Sequence, residues 1–223
     1  METQLTAPPK LTASSTTTSP LSRMLESRAR RAGLSLRHIK TFSSTRQMPD
    51  LPVNPPGHIP LDPDEMEGRI SHRSGTGFTT CLIGPRGTGK TQIAVNLVLR
   101  ELHAMRGKDS EDRDQPRYVL ASDLFREIRD SFKVGGEMAC MKKFTQPRLL
   151  VIDEIQERGN TTFEDSALTN IIDHRYGDML DTLLISNLKR EELIGALGNP
   201  IASRMTESGG VLECTWPSFR GAK

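Results

Sequence analysis

The chain has 223 residues and is nearly balanced in charge, with 30 Lys and Arg against 28 Asp and Glu and a net charge of +2. Only 35% of the residues are hydrophobic and 4% aromatic, which predicts one modest core and a sizeable unpacked segment. No apolar run approaches the roughly 20 residues that a membrane span needs, so we expect no membrane contact. The three cysteines lack zinc-ligand spacing, and their odd number indicates a reducing cytoplasm.

The first 61 residues differ in composition from the rest of the chain. Residues 1–20 are rich in Thr, Ser and Pro and are predicted to form a disordered tail. Residues 21–61 combine a short basic helix, predicted over 21–32 with Gly33 as its C-cap, with a proline-rich linker. This segment is a candidate partner-binding element, because its basic residues could meet nucleic acid or an acidic protein. A solvated tail is the alternative, and we expect the compact domain over residues 62–223.

From residue 77 onwards, predicted strands and helices alternate. Short apolar runs predict strands at residues 79–83, 118–121, 149–152, 182–185 and 211–214. Helical patterns predict helices at residues 90–104, 122–132, 161–175, 189–196 and 200–206. Ser122 is the predicted cap of the second of these helices, and residues 134–146 are left as a loop or short helix. The alternation implies an α/β fold with a central, mostly parallel five-stranded sheet flanked by helices.

A glycine-rich loop follows the first predicted strand. It reads Gly84-Pro85-Arg86-Gly87-Thr88-Gly89-Lys90-Thr91 and fits the pattern G-x-x-x-x-G-K-[ST]. Glycines allow the backbone to fold tightly around a triphosphate and to aim its N–H groups at the oxygens. The pattern predicts that ATP is bound by this loop and by Gln92, with Lys90 at the β- and γ-phosphates and Thr91 on Mg²⁺. A chance match to a glycine-rich turn is the alternative, and the motifs downstream disfavour it.

Two acidic residues follow the apolar run at residues 149–152. A buried parallel strand delivers such residues to its carboxyl edge, where open α/β sheets bind ligands. Asp153 is therefore predicted to bind Mg²⁺, and Glu154 to orient and polarise the attacking water. A strand that merely ends at a polar turn is the alternative, and the preceding phosphate loop makes it the weaker one.

Two more polar residues are candidates for the same chemistry. Asn187 lies two residues after the apolar run at residues 182–185 and could hold the water or sense the γ-phosphate. Arg204, on a short helix before the last strand, could neutralise transition-state charge at a neighbouring subunit's ATP. The alternatives are that Asn187 caps the next helix and that Arg204 is a surface residue.

Three residues near the same edge could contact single-stranded DNA. Thr161 and Thr162 could meet phosphate, and Phe163 could stack on a base. The alternative for Phe163 is packing in the core, as the first apolar residue of its helix.

In this order the motifs resemble those of AAA+ ATPases of the P-loop NTPase class, and more closely the DnaC-type helicase loaders and the IstB-type transposition ATPases. The closer resemblance is carried by Ile152-Asp153-Glu154-Ile155, Asn170-Ile171-Ile172-Asp173-His174-Arg175-Tyr176, Ile185-Ser186-Asn187-Leu188 and Ser203-Arg204-Met205. The ending Trp216-Pro217-Ser218-Phe219-Arg220 resembles the close of DnaC-type loaders more than the IstB ending.

The resemblance implies an ATPase encoded by a bacterium or phage that forms an ATP-dependent oligomer, with Arg204 reaching a neighbour's ATP. It also implies that the partners are single-stranded DNA and a ring-shaped replicative helicase. The chain leaves no room for the C-terminal helical lid of most AAA+ proteins, which is also typical of this family. Family loaders grip the helicase through a folded N-terminal domain, whereas only the short segment before residue 62 precedes the core here, so the partner remains open.

The function predicted from the sequence is therefore ATP-dependent loading or remodelling of a replicative helicase on single-stranded DNA. Three alternatives stand beside it: an IstB-type transposition helper on duplex DNA, a non-hydrolysing nucleotide-switched scaffold and a small-molecule kinase. The ending at Trp216 disfavours the first, the intact Glu154 disfavours the second, and the lack of an evident acceptor-binding lid disfavours the third.

Overall fold

The computed structural model describes residues 20–45, 62–105 and 115–219. Residues 1–19 of the predicted disordered tail and residues 46–61 of the predicted linker lie outside the described residues. Among the helices of the described part, none is both long and apolar enough to cross a membrane.

The predicted parallel sheet is confirmed. Its strands are β1 Thr79–Ile83, β2 Arg117–Leu120, β3 Leu149–Asp153, β4 Asp181–Ile185 and β5 Gly210–Glu213. They lie in the order β2-β3-β4-β1-β5, and every neighbouring pair is parallel. All residues of β1, β3 and β4 are buried, as expected for central strands covered on both faces.

Helices flank the sheet in the part of the chain that the structure describes. They are α1 Pro20–Arg31, α2 Leu36–Thr45, α3 Pro63–Ser71, α4 Lys90–Ala104, α5 Ala121–Lys133, α6 Glu137–Thr145, α7 Thr162–Gly177, α8 Arg190–Leu197 and α9 Asn199–Ser208. A single 3₁₀ turn, Ile155–Glu157, follows β3. The prediction of Ser122 as a helix cap is wrong, because β2 runs directly into α5 with Leu120 at the N-cap. The segment at 134–146 contains α6.

The strands separate two hydrophobic cores. Leu82, Val151 and Leu183 pack on one face with α1, α3 and α4. The residues next to them in each strand, among them Ile83 and Ile152, pack on the other face with α5 to α9. This alternation follows from the two-residue side-chain period of a strand and explains why the strands read as continuous apolar runs.

The predicted basic helix is confirmed as α1, and it packs against the edge strand β2. The Tyr118 N–H donates to the Ala32 carbonyl over 2.7 Å, while Ala29, Ala32 and Leu34 are buried in the first core. Gly33 has a φ of 93°, and a Cβ there would lie 2.0 Å from the Tyr118 carbonyl oxygen. Only glycine fits this close approach, so the end of α1 is fixed against β2.

Strand register brings the carboxyl ends of the central strands together. Ile152 of β3 is level with Leu184 of β4, and Ile185 of β4 is level with Leu82 of β1. The phosphate loop, Glu154 and Asn187 therefore emerge side by side at one edge of the sheet. After β5 the described chain forms no further helix; residues 214–219, here called the strap, cross the outside of the phosphate loop instead.

Candidate nucleotide-binding site

A cleft of about 560 Å³ opens at the carboxyl edge of the sheet. It lies between the phosphate loop, the ends of β3 and β4, the start of α2 and the end of the strap. The cleft is lined by Arg37, His38, Arg86, Gly87, Gly89, Lys90, Thr91, Gln92, Asp153, Glu154, Ile185, Asn187 and Phe219. Residues far apart in the sequence thus meet at the place that the motifs predict.

The phosphate loop holds its lysine in a defined position. The buried Lys90 ammonium group donates to the Gly84 carbonyl over 2.6 Å and to the Pro85 carbonyl over 2.8 Å. Gly84 has a φ of 137°, and a Cβ there would lie 2.7 Å from the Cys214 carbonyl oxygen. The loop therefore requires glycine where it passes the end of β5. Thr88 is buried and donates its hydroxyl to the Pro85 carbonyl over 2.9 Å.

Arg86 of the loop and Gln92, which follows it, make further polar contacts. Arg86 forms an exposed ion pair with Glu157 in the 3₁₀ turn after β3, at 3.2 Å. Gln92, in the first turn of α4, donates to the Asn96 side-chain carbonyl over 2.8 Å. Both line the cleft, and Arg86 links the loop to the segment that follows Glu154.

Thr91 and Asp153 lie next to each other at the floor of the cleft. The Thr91 hydroxyl donates to Asp153 Oδ2 over 2.8 Å, and only 2% of Asp153 is exposed. A hydroxyl beside a carboxylate is a set of hard oxygen donors, which is the type that Mg²⁺ prefers. The residues present therefore fit this metal.

Tyr118 contributes a contact that the sequence reasoning missed. Its hydroxyl donates to Asp153 Oδ2 over 2.8 Å, on the oxygen that also accepts from Thr91. Burial, and then the negative charge of Asp153, raises the pKa of this hydroxyl, so that it remains a hydrogen-bond donor at neutral pH. Tyr118 is a polar aromatic residue in the apolar run of β2, and this was the one sequence signal of a role beyond packing.

His38 on α2 also reaches this end of the cleft. Its ring lies edge-on to Tyr118, with the centroids 5.7 Å apart. Burial lowers the pKa of His38, and Asp153 acts in the opposite direction. The sequence reasoning missed His38 as well, because nothing in residues 36–45 indicates that they fold back to the sheet edge.

Glu154 follows β3 in a left-handed backbone conformation, with φ 55° and ψ 46°. Its N–H donates to Asp153 Oδ1 over 2.7 Å, and its side chain is exposed in the cleft. Non-glycine residues adopt this conformation at a cost of about 1–3 kcal/mol and do so most often at functional sites. The strained turn separates the two carboxylates, with Asp153 buried beside Thr91 and Glu154 open to solvent.

Asn187 lines the opposite wall of the cleft, after β4. Its N–H and the Ser186 hydroxyl both donate to Gln156 Oε1 over 3.2 Å, which ties the end of β4 to the turn after β3. The alternative role of Asn187 as a helix cap does not fit, because α8 begins at Arg190 with Lys189 at its N-cap.

Arg204 lies on α9, away from the cleft-lining residues. Its guanidinium pairs with Asp173 of α7 at 2.9 Å, donates to the Pro200 carbonyl over 2.8 Å and lies 5.8 Å from the centre of the Tyr176 ring. The structure therefore does not bring Arg204 to the phosphate loop of its own chain.

The three candidate DNA contacts cluster at the start of α7. The Thr161 hydroxyl caps α7 by accepting from the Glu164 N–H over 3.3 Å, and Thr162 is exposed. Phe163 is only partly buried, and its ring lies edge-on to the exposed Phe132 ring at 5.8 Å between centroids. Arg129 lies 5.9 Å from the centre of the same ring. Phe132 and Arg129 complete an exposed aromatic and basic patch that Phe163 alone did not reveal.

Comparison with known families identifies the chain. The sequence model of the IstB-like ATP binding protein family matches residues 77–208, from the turn before β1 to the end of α9. The chain belongs to this family. Its description supports ATP as the ligand of the cleft, and the match includes the phosphate loop, Asp153, Glu154, Asn187 and Arg204.

Curated proteins that resemble the chain include a helicase loader. The replicative helicase loader DnaC of Escherichia coli K12 is 27% identical over 140 residues, which are 61% of this chain and 54% of DnaC. The uncharacterised protein YdaV of the same strain is 30% identical over 140 residues, or 61% of this chain and 53% of YdaV. The aligned part thus spans about half the length of these relatives.

Solved structures share the fold. A crystal structure of the DnaC helicase loader superposes with a TM-score of 0.61 at 18% identity, covering 80% of this chain and 99% of that one. AMPPCP-bound DnaA from Aquifex aeolicus has a TM-score of 0.54 at 19% identity, covering 68% of this chain and 44% of DnaA. The predicted resemblance to DnaC-type and IstB-type AAA+ proteins is therefore confirmed at the level of family and fold.

Proposed function

We propose that the protein is an ATPase whose cleft binds Mg·ATP and whose hydrolysis is completed by a second subunit. One observation carries this proposal: a buried lysine, a threonine–aspartate pair, an exposed glutamate and an asparagine converge on one cleft at the carboxyl edge of a parallel sheet. Phosphoryl transfer relies on positioning and charge stabilisation more than on covalent chemistry. Such a set of residues can therefore bind Mg·ATP and position the attacking water within one chain, and it lacks only a further cation to neutralise charge at the γ-phosphate in the transition state.

Each polar group of the cleft has a position suited to one task. Lys90 lies at the loop floor, where its charge can meet the β- and γ-phosphates after exchanging its carbonyl partners for phosphate oxygens. Glu154 is exposed across the cleft and can orient and polarise a water molecule that attacks the γ-phosphate. Asn187, on the other wall, can hold the same water or the γ-phosphate by its side-chain amide.

Thr91 and Asp153 would hold Mg²⁺, which when bound neutralises negative charge on the β- and γ-phosphates. Tyr118 supports this pair as a positioning residue, because its hydrogen bond fixes the Asp153 carboxylate from the side of β2.

Arg204 is the candidate for the charge contact that the cleft lacks. It is partly exposed on α9, and its pairing with Asp173 is a surface ion pair, which is worth at most about 1 kcal/mol. Such a pair can be exchanged for a phosphate at a subunit interface. This supports an ATP-dependent oligomer in which Arg204 of one subunit contacts the γ-phosphate bound by the next.

Single-stranded DNA is the proposed substrate of the assembly. The patch formed by Phe132, Phe163 and Arg129 offers one exposed and one partly buried aromatic ring beside a cation that also pairs with Glu164, and such chemistry stacks on bases and attracts a phosphate backbone. Thr161 and Thr162 lie beside it at the start of α7.

The proposed partner is a ring-shaped replicative helicase, which the protein would load or remodel. Support comes from the relatives of known name, since DnaC is a replicative helicase loader. For the contact itself we propose residues 21–61, because the described part of this segment exposes Arg23, Arg30 and Lys40 on α1 and α2. The AAA+ unit would then comprise residues 62–223.

A second candidate is an IstB-type helper of transposition that acts on duplex DNA. The matching family model carries the IstB name, and this observation favours it. The DnaC-type ending, whose Trp216 and Phe219 contact the phosphate loop, favours the loader.

The test is steady-state ATP hydrolysis by the full chain alone, with single-stranded DNA and with duplex DNA. We expect stimulation by single strands, and loss of that stimulation in Phe163→Ala with the DNA-free rate unchanged. Stimulation by duplex DNA alone would support the transposition helper instead. ATP binding without turnover under every condition would support a nucleotide-switched scaffold.

A further inference from the structure

The strap is attached at three points, one at the end of β1 and two on the phosphate loop. The Cys214 N–H donates to the Ile83 carbonyl over 2.8 Å, at the end of β1. The buried Trp216 indole N–H donates to the Thr88 carbonyl over 2.8 Å. The Phe219 N–H donates to the Gly87 carbonyl over 2.9 Å. The strap therefore holds Phe219 at a fixed place relative to the loop, and nothing in the phosphate chemistry described above uses this residue.

The Phe219 ring lies over the phosphate loop with much of its surface open. A Cβ built on Gly89 would lie 3.6 Å from Phe219 Cε2, so one edge of the ring lies beside the glycine, next to the space that a side chain there would fill. The side chain is nonetheless 64% exposed, and it lines the cleft. Backbone hydrogen bonds hold this large apolar ring at the mouth of a polar cleft. Packing of the fold does not require the ring to be exposed there.

The two ends of the cleft differ in chemistry. Asp153, Glu154 and Asn187 form one end, where the β3 and β4 strands stop. Phe219 is the only phenyl ring among the described residues that line the cleft, and it lies at the Gly87–Gly89 end. A nucleoside triphosphate on the phosphate loop, with its metal-bound terminal phosphates towards Thr91 and Asp153, would carry its flat aromatic base away from these acids and towards Phe219. Aromatic rings favour stacked or edge-to-face contact with such a group.

We propose that Phe219 is the residue that binds the nucleobase, stacking against it as the triphosphate occupies the phosphate loop, and that Trp216 positions it. This inference rests on the proposed function of the cleft and assigns the strap to recognition of the base. Stacking accepts any base face, so Phe219 contributes affinity for nucleoside triphosphates in general and does not itself discriminate adenine from guanine.

The test measures the dissociation constants of ATP and of inorganic tripolyphosphate by calorimetry, for the full chain with Mg²⁺. In Phe219→Ala we expect ATP to bind about tenfold more weakly, a typical loss for one base–aromatic stack, with tripolyphosphate unchanged within about twofold. Phe219→Tyr retains the ring and should bind ATP like the wild type, whereas Phe219→Leu should resemble Phe219→Ala. Trp216→Phe, which loses the indole N–H and the smaller ring that carries it, should weaken ATP binding by a smaller factor.

The matched control is Ile194→Ala, which removes an exposed apolar side chain of α8 away from the cleft and should leave both constants unchanged. In Phe219→Trp, ATP should quench the indole emission beyond its effect on the wild type, and tripolyphosphate should not. Equal weakening of ATP and tripolyphosphate in Phe219→Ala would overturn the proposal and make Phe219 a support of the loop, as would unchanged ATP affinity. Failure of the wild type to bind ATP at all would instead contradict the proposed function.

Discussion

The cleft and the α9 surface contrast in how their polar groups are held. In the cleft, Lys90, Thr91 and Asp153 are fixed by hydrogen bonds of 2.6–2.8 Å within one chain. On α9, Arg204 is held by a partly exposed ion pair with Asp173 and by a carbonyl of its own helix. The groups proposed to bind Mg·ATP are thus preorganised inside the subunit, whereas Arg204, the proposed last charge for hydrolysis, lies outside the cleft of its own chain.

This difference separates two steps that a self-contained enzyme would combine. A single subunit has the groups to bind Mg·ATP, but the arginine that would neutralise the transition state lies elsewhere. Under the proposed function, hydrolysis therefore depends on assembly, whereas nucleotide binding does not.

Arg204→Ala should lower the turnover number of the assembled protein by about 10³-fold, the lower range for a missing arginine finger. The dissociation constant of ATP for the isolated subunit should stay within about twofold, because Arg204 does not line its own cleft. Turnover and ATP binding are measured on the same preparation. A large loss of ATP affinity in the isolated subunit would place Arg204 in cis and remove the contrast.

Glu154→Gln should lower turnover by about 10²–10³-fold, since the amide cannot act as a base toward the attacking water. ATP should still bind, because Asp153 and Lys90 keep their contacts, and the ATP-bound oligomer should accumulate. Single-turnover hydrolysis and sedimentation with ATP check both parts. Glu157→Gln, three residues later on an exposed ion pair, is the matched control and should hydrolyse ATP normally.

Tyr118→Phe should raise the Mg²⁺ concentration that half-saturates ATP binding by about tenfold, because a hydrogen bond to a charged group is worth about 1.5–3 kcal/mol. The phenyl ring keeps the packing of β2 and the edge-on contact with His38. Titration of ATP binding with Mg²⁺ provides the measurement, and ATP binding in excess EDTA should be unchanged. An equal loss with and without Mg²⁺ would show that Tyr118 acts on the fold rather than on Asp153.

Asp173→Asn should change turnover by less than about threefold and the free energy of unfolding by less than about 1 kcal/mol, because its ion pair with Arg204 lies at the surface and is partly exposed. Denaturant unfolding and ATP hydrolysis are measured beside Arg204→Ala. A loss as large as that of Arg204→Ala would mean that the pair, and not a contact with a neighbour, accounts for the effect of the arginine.

The sheet and the cleft floor could be predicted from the sequence because their signals are local. The phosphate loop and the two acids after β3 each lie within a few consecutive residues, and parallel strands bring their carboxyl ends to one edge. Tyr118 and His38 could not be predicted, since Tyr118 meets Asp153 only because β2 pairs with β3, and His38 reaches the Tyr118 ring and the cleft only because α2 folds back to the sheet edge. Their roles depend on tertiary contacts that no spacing in the sequence encodes.

Arg175 of α7 and Arg204 of α9 also show that a residue's role depends on tertiary contacts that the sequence does not reveal. Both belong to motifs that carry the family resemblance, yet Arg175 is completely buried while Arg204 is partly exposed. The Arg175 guanidinium donates to the Thr182 hydroxyl and to the carbonyls of Phe144 and Pro147, which joins α6, α7 and β4. Burial lowers the pKa of Arg175 to about 9. Burial, which the sequence does not reveal, therefore makes Arg175 structural and leaves Arg204 partly exposed at the surface, paired with Asp173.

The most direct test of hydrolysis between subunits mixes two inactive variants. Lys90→Ala should not bind ATP but still presents Arg204, and Arg204→Ala binds ATP but lacks the arginine. Each alone should be inactive, and equal mixing with single-stranded DNA should restore turnover to a substantial fraction of the wild-type rate. A mixture as inactive as its components, with both variants shown to enter mixed oligomers, would contradict the account.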